Sequence, residues 1–90
     1  MLSACAGSTP LAEHERFTVW FEPALSAPAE ASVAHESGYV WRGTASPSSV
    51  QFAAPEGPCT LTLARRGEVV AETSLRLVRG VPEQTWRLRP

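Results

Sequence analysis

Apolar and polar residues alternate with period two along most of this chain, the pattern of half-buried strands, and no window sustains a helical repeat. Over Arg16 to Glu22 the alternation puts Phe17, Val19 and Phe21 on one face and Thr18, Trp20 and Glu22 on the other, and Pro23 ends the run. A turn-rich stretch from Pro23 to Pro28 leads to a second predicted strand at Ala29 to Glu36, weakened in propensity by its alanines. Ser37-Gly38 then turns the chain into Tyr39 to Thr44, so that this pair reads as a hairpin. Tyr39 and Trp41 share the face opposite Val40 and Arg42, and with Trp86 they are expected to pack inward.

Val50 and Phe52 mark a short fourth strand, and Pro55-Glu56-Gly57-Pro58 is the clearest turn in the chain. Beyond it lies the best hairpin, with Cys59 to Arg65 and Glu68 to Val78 joined at Arg66-Gly67. The returning run exceeds the usual strand length of about 5–6 residues, which predicts a bulge or bend. Gly80 and Pro82 interrupt it, and Glu83 to Arg89 forms a last strand with Trp86 and Leu88 inward. The fold predicted is all-β: a small β-sandwich or partly open barrel of six to seven mostly antiparallel strands, built as one domain over residues 15–90.

Composition sharpens this picture in two ways. At 90 residues, with 43% hydrophobic and 19% charged side chains, the chain has room for a single core and is not disordered as a whole, despite eight prolines. The net charge of -1 hides an asymmetry, because six arginines against three glutamates make the stretch from Cys59 onward basic. Those arginines alternate with apolar residues, as solvated side chains on the wet face of strands do. A pI near 6.1 and the lack of a basic cluster interleaved with aromatics argue against nucleic acid as a partner. Lys, Asp, Asn and Ile are absent, which fits the codon bias of a GC-rich genome.

The strongest local signal lies at the start. Leu2-Ser3-Ala4-Cys5 has the form of a lipobox, in which a thiol attacks a diacylglycerol donor and small residues before it fit the signal peptidase. Ala6 to Pro10 then supplies a small, flexible spacer, so residues 1–14 are expected to be a lipobox remnant and linker, with Cys5 the lipidation site. The charged and apolar regions of a signal peptide do not precede the box, since Met1 stands directly before Leu2. The expectation is a chain trimmed for soluble expression, or a start codon internal to a longer reading frame. Acylated at Cys5, the protein would be held stably at a membrane surface. Cys59 is left over, and its parity with Leu61 and Leu63 makes it a buried, inert thiol.

The residues suggest no catalytic site, no cofactor and no metal. His14 and His35 lack companions at helical metal spacing and are expected to be solvated; a blue-copper ligand set fails because Met1 is an initiator residue and not an axial ligand following a cysteine and histidine near the C-terminus. No serine elbow is present, and Glu13 and Glu15 lie on an exposed segment where nothing raises a carboxyl pKa. An enzyme is therefore not expected. What remains is surface, and Trp20, Tyr39 and Trp41 are taken as the candidate partner-binding aromatics, since Trp and Tyr are enriched at interface hot spots. For Trp20 the alternatives are an exposed anchor and a side chain covered by the 23–28 loop.

The order of these features resembles the YscW/YbaY-type small lipoproteins, which include the pilotins of type III secretion systems, in particular the ExsB-like pilotins. The resemblance rests on the box LSAC with its spacer, on FTVWFEPALSAPAEASVAH, on the Val50-x-Phe52 pattern before a Pro/Gly turn, and on the closing VVAETSLRLVRGVPEQTWRLRP. It implies a lipid-anchored protein on the periplasmic face of the outer membrane. Such a protein binds the C-terminal segment of its secretin, shields it, and uses the lipoprotein-sorting machinery, with Ala6 after the lipidated cysteine permitting outer-membrane release. Two other classes stay open: a periplasmic inhibitor or small-ligand-binding lipoprotein, and a structural envelope lipoprotein.

Overall fold

The computed structural model describes residues 14–88, and the lipobox, the spacer and the end of the last expected strand lie outside the described residues. Seven strands follow in order: β1 (Glu15–Glu22), β2 (Ala29–His35), β3 (Val40–Ala45), β4 (Ser49–Ala54), β5 (Gly57–Arg65), β6 (Glu68–Leu77) and β7 (Glu83–Arg87). They form a three-stranded sheet in the order β4-β1-β7 and a four-stranded sheet in the order β3-β2-β5-β6, packed as a sandwich. All pairings are antiparallel except that of β1 with β7, which is parallel. The expected fold class is what the chain adopts.

Alternation decides the core. Phe17, Val19 and Phe21 of β1 and Val50, Phe52 and Ala54 of β4 point from one sheet toward Ala29, Ala31 and Val33 of β2 and Leu61 and Leu63 of β5. Phe17, Leu61, Leu63 and Val33 are essentially inaccessible to solvent, each stabilising the fold by about 1.5–3 kcal/mol through transfer from water. Alanines across β2 suit a thin sandwich, where bulky rings from β1 and β4 fill the space the small side chains leave.

Turn chemistry sets the connections. Arg66 (φ 53°) and Gly67 (φ 82°) both occupy the left-handed region, the type I′ geometry whose twist matches a hairpin. The bulge expected from the length of this hairpin lies where the β5–β6 register shifts between Leu63 and Ala64. It leaves Val69 and Val70 exposed near the tip, so the inward face of β6 starts at Ala71 and not at Val69.

The two seams between the sheets are built differently. At the β3–β4 seam the Tyr39 hydroxyl donates to the Ala53 carbonyl at 2.9 Å, and the Trp41 ring packs 5.8 Å from that of Phe52. At the β6–β7 seam the Gln84 side-chain amide donates to the Arg76 carbonyl at 3.0 Å, with Leu75 and Trp86 half-buried on either side.

The expectation that both histidines are solvated is not met. His35 is only 8% exposed, because it shares the inward parity of Ala29, Ala31 and Val33. His14 is half-buried, with its ring stacked edge-on against Tyr39 at 4.6 Å.

Candidate functional site

The surface with the most shape is the outer face of the four-stranded sheet. Its floor consists of Ser32 and Ala34 of β2 beside Thr62 and Thr60 of β5, with Glu30 of β2 beside Ala64 of β5 at one end. All but Glu30 are small. The flanking strands carry longer side chains on the same face, Arg42 on β3 and Glu72 and Arg76 on β6, where Thr62 Oγ1 donates to the Glu72 carboxylate at 2.9 Å. Small residues between taller ones make a trough. Three concavities lie along it: one of about 330 Å³ beside Arg65 and Arg66, one of about 380 Å³ over Ser32, Gly43 and Thr62, and one of about 220 Å³ over Ala34, Thr60 and Ser74.

The dimensions follow from strand geometry. Three inter-strand steps of about 4.8 Å separate β3 from β6, giving a width of about 14 Å, and seven residues of β2 run for about 24 Å. An α-helix is about 10–12 Å across with its side chains. The charges are mixed, with Glu30 between Arg42 on one side and Arg65 and Arg66 on the other. Arg65 is partly committed, since its guanidinium donates to the carbonyls of Ala27 and Pro28.

The expected partner-binding aromatics do not form one patch. Trp20 is 43% exposed in the middle of the outer face of the three-stranded sheet, where its indole N–H donates to Glu83 at 3.2 Å. It is not covered by the 23–28 loop. Tyr39 and Trp41 sit half-buried on the far side of the molecule, closing the β3–β4 seam as the inward parity implied. Their role there is packing: the Trp41 indole lies over Gly43 so closely that a Cβ at that position would be 2.5 Å from its ring carbons.

No protein-family model, curated protein or solved structure matches this chain.

One juxtaposition has the elements of nucleophilic chemistry and went unnoticed in the sequence: His35 and Cys59 are direct neighbours across β2 and β5. The geometry uses both side chains otherwise. His35 Nε2 lies 2.8 Å from the Glu56 carbonyl, which can only accept, so Nε2 carries the proton. Nδ1 then accepts from the Ser37 backbone N–H at 3.0 Å. Both nitrogens are consumed in fastening the β2–β3 turn to the segment before β5. Cys59 is buried, and the loss of solvation pushes its thiol pKa up, opposite to the depressed value of an activated nucleophile. Parity could have found this pair, since His35 continues the inward series of β2 and Cys59 that of β5. Among the described residues no three His, Cys or Glu side chains converge as a metal site would require.

Proposed function

We propose that this chain is a lipid-anchored pilotin or chaperone of the YscW/YbaY type, held at the periplasmic face of the outer membrane through Cys5. In this reading it binds the C-terminal segment of a type III secretion secretin and aids its localisation and assembly. The observation that supports the reading is the trough over β2 and β5, whose floor of small side chains admits the close approach of a helix about 16 residues long, at about 1.5 Å per residue over 24 Å. Arg42 and Glu30 along it complement an amphipathic segment carrying both charges. Recognition would then be of the helix-in-groove kind, with the lipid as address and the trough as grip.

Two measurements test it. Cys5→Ser is expected to mislocalise the protein and leave the secretin in the inner membrane, and normal outer-membrane secretin rings in that variant would refute the lipid-address half. Ala64→Trp or Ser32→Trp fills the trough from positions whose side chains face solvent, so the fold should survive. Either is expected to abolish secretin capture from detergent-solubilised envelopes, followed by mass spectrometry. Undiminished capture by both would remove the trough from the account, and recovery of an enzyme in place of the secretin would move the protein to the inhibitor class.

A further inference from the structure

The outer face of the three-stranded sheet carries a solitary exposed indole in a polar setting, from which we infer a carbohydrate-binding site: Trp20 is the stacking platform for a neutral, gluco-configured polysaccharide chain. Trp20 stands on β1, the middle strand of the order β4-β1-β7, so a strand supports it on either side. Its indole N–H donates to the Glu83 carboxylate at 3.2 Å, and Glu83 is the β7 residue opposite Thr18. The ring therefore leans over β7 and is held there. With 43% of its surface accessible, it lies on the sheet with one side open. A side chain fixed in advance loses less rotamer entropy when a ligand settles on it.

The neighbours of the ring fix the class of ligand. Ser49 of β4 and Thr85 of β7 flank Trp20 directly, and Thr18 with its partner Gln51 lies two residues along the same face. These are hydroxyls and an amide, groups that both donate and accept, as sugar hydroxyls do. Glu83 adds acceptor capacity beyond the indole, since a carboxylate has about four lone-pair sites. Charges on the face cancel: Glu22 and Arg87 pair at 3.5 Å, and Arg16 offsets Glu83. A balanced face of this kind steers neither polyanions nor polycations, and suits an uncharged chain. A protein partner would favour a ring packed among apolar neighbours, the usual setting of an interface hot spot, whereas the positions around Trp20 are polar. In a gluco-configured pyranose the ring substituents are equatorial, so each face is a patch of axial C–H bonds bordered by hydroxyls. That layout matches an indole bordered by Ser49, Thr85, Thr18 and Gln51, and the weakly positive C–H groups meet the negative face of the aromatic system.

Strand geometry sets the extent of the platform. Thr18 and Glu22 lie about 13 Å apart along β1, and the three strands are about 10 Å across, so the face takes a short run of a polysaccharide laid flat. The trough lies on the other sheet, so this site stands apart from the function proposed above and does not depend on it.

The experiment is an NMR titration of the isotope-labelled 90-residue chain with cellohexaose and, separately, with the hexamer of N-acetylglucosamine, up to the solubility limit of each. Saturable shifts are expected at the Trp20 indole N–H and at the amides of Thr18, Gln51 and Thr85, while the indoles of Trp41 and Trp86 stay still. Binding of both oligomers supports the shared pyranose face as the determinant; binding of one alone supports the site and shows that the substituent at the second carbon is read as well. Trp20→Ala should weaken binding by about tenfold or more, and Trp20→Phe should keep part of it. Both variants should fold, since the side chain is outside the core. Glu83→Gln keeps an acceptor for the indole N–H and should bind within a few-fold of the parent. No saturable shift with either oligomer overturns the inference, as does undiminished binding by Trp20→Ala or a set of shifts confined to the trough. Preference for a polygalacturonate oligomer over both neutral ones would exclude the neutral class. Shifts at this face that grow with protein concentration in the absence of sugar would assign Trp20 to self-association instead.

Discussion

An alanine at position 43 would put its Cβ 2.5 Å from two ring carbons of Trp41, and what would have to move is a ring wedged against Phe52. Gly43→Ala is therefore expected to destabilise the protein by about 1–3 kcal/mol, measured by urea unfolding, with a shift in tryptophan emission as the indole leaves its seat. His35 is a second point of this kind. Replacing it with alanine strips partners from the Glu56 carbonyl and the Ser37 N–H, an expected loss of about 2–4 kcal/mol. Its burial was legible in the parity of β2, but its partners were not, because both lie in turns whose approach only the folded chain brings about.

Cys59 makes a prediction about pH. Burial raises its pKa in the folded state above that of the unfolded thiol, about 8.5. The folded chain then holds its proton over a range in which the unfolded chain has lost it. Stability should be unaffected by this group below that value and should decline as pH climbs beyond it. A thiol reagent should react with Cys59 far more slowly in the native protein than after denaturation, and equal rates would contradict its burial.

Among the elements, the β5–β6 hairpin was the most legible and β7 the least. Alternation, the Arg66-Gly67 turn and an overlong returning run defined the hairpin and its bulge, because each is a local property of the chain. Strand β7 was legible as a strand, but its parallel pairing with β1 was not, since nothing in an alternating pattern of five residues names a partner more than sixty positions away. The turn itself offers a test. Arg66 holds φ at 53°, a conformation that Asn tolerates better. Arg66→Asn should stabilise the fold by about 0.5 kcal/mol, seen as a higher midpoint in thermal unfolding, whereas a β-branched residue at Gly67 should lower it. The trough was legible only in its parts: the small residues of β2 and β5 are evident in the sequence, but that the two strands lie side by side between longer side chains follows from the sheet order β3-β2-β5-β6.

For the whole molecule, the two seams differ in what holds them. On one side a phenol, an indole and a phenyl ring interlock between β3 and β4. On the other, among the described residues, a single side-chain amide hydrogen bond spans from β7 to β6, between the half-buried Leu75 and Trp86. A sandwich fastened so unequally should breathe like a clam, with the aromatic side as its spine and the amide as a weak clasp. Thermal opening would then lift the lip formed by the last long strand while the remaining layers stay shut. Heteronuclear exchange measurements should find the amides of Thr73 and Leu75, which face β5, released well before those of Val33 and Trp41, and cutting the clasp with Gln84→Ala should widen that gap without lowering protection at the spine.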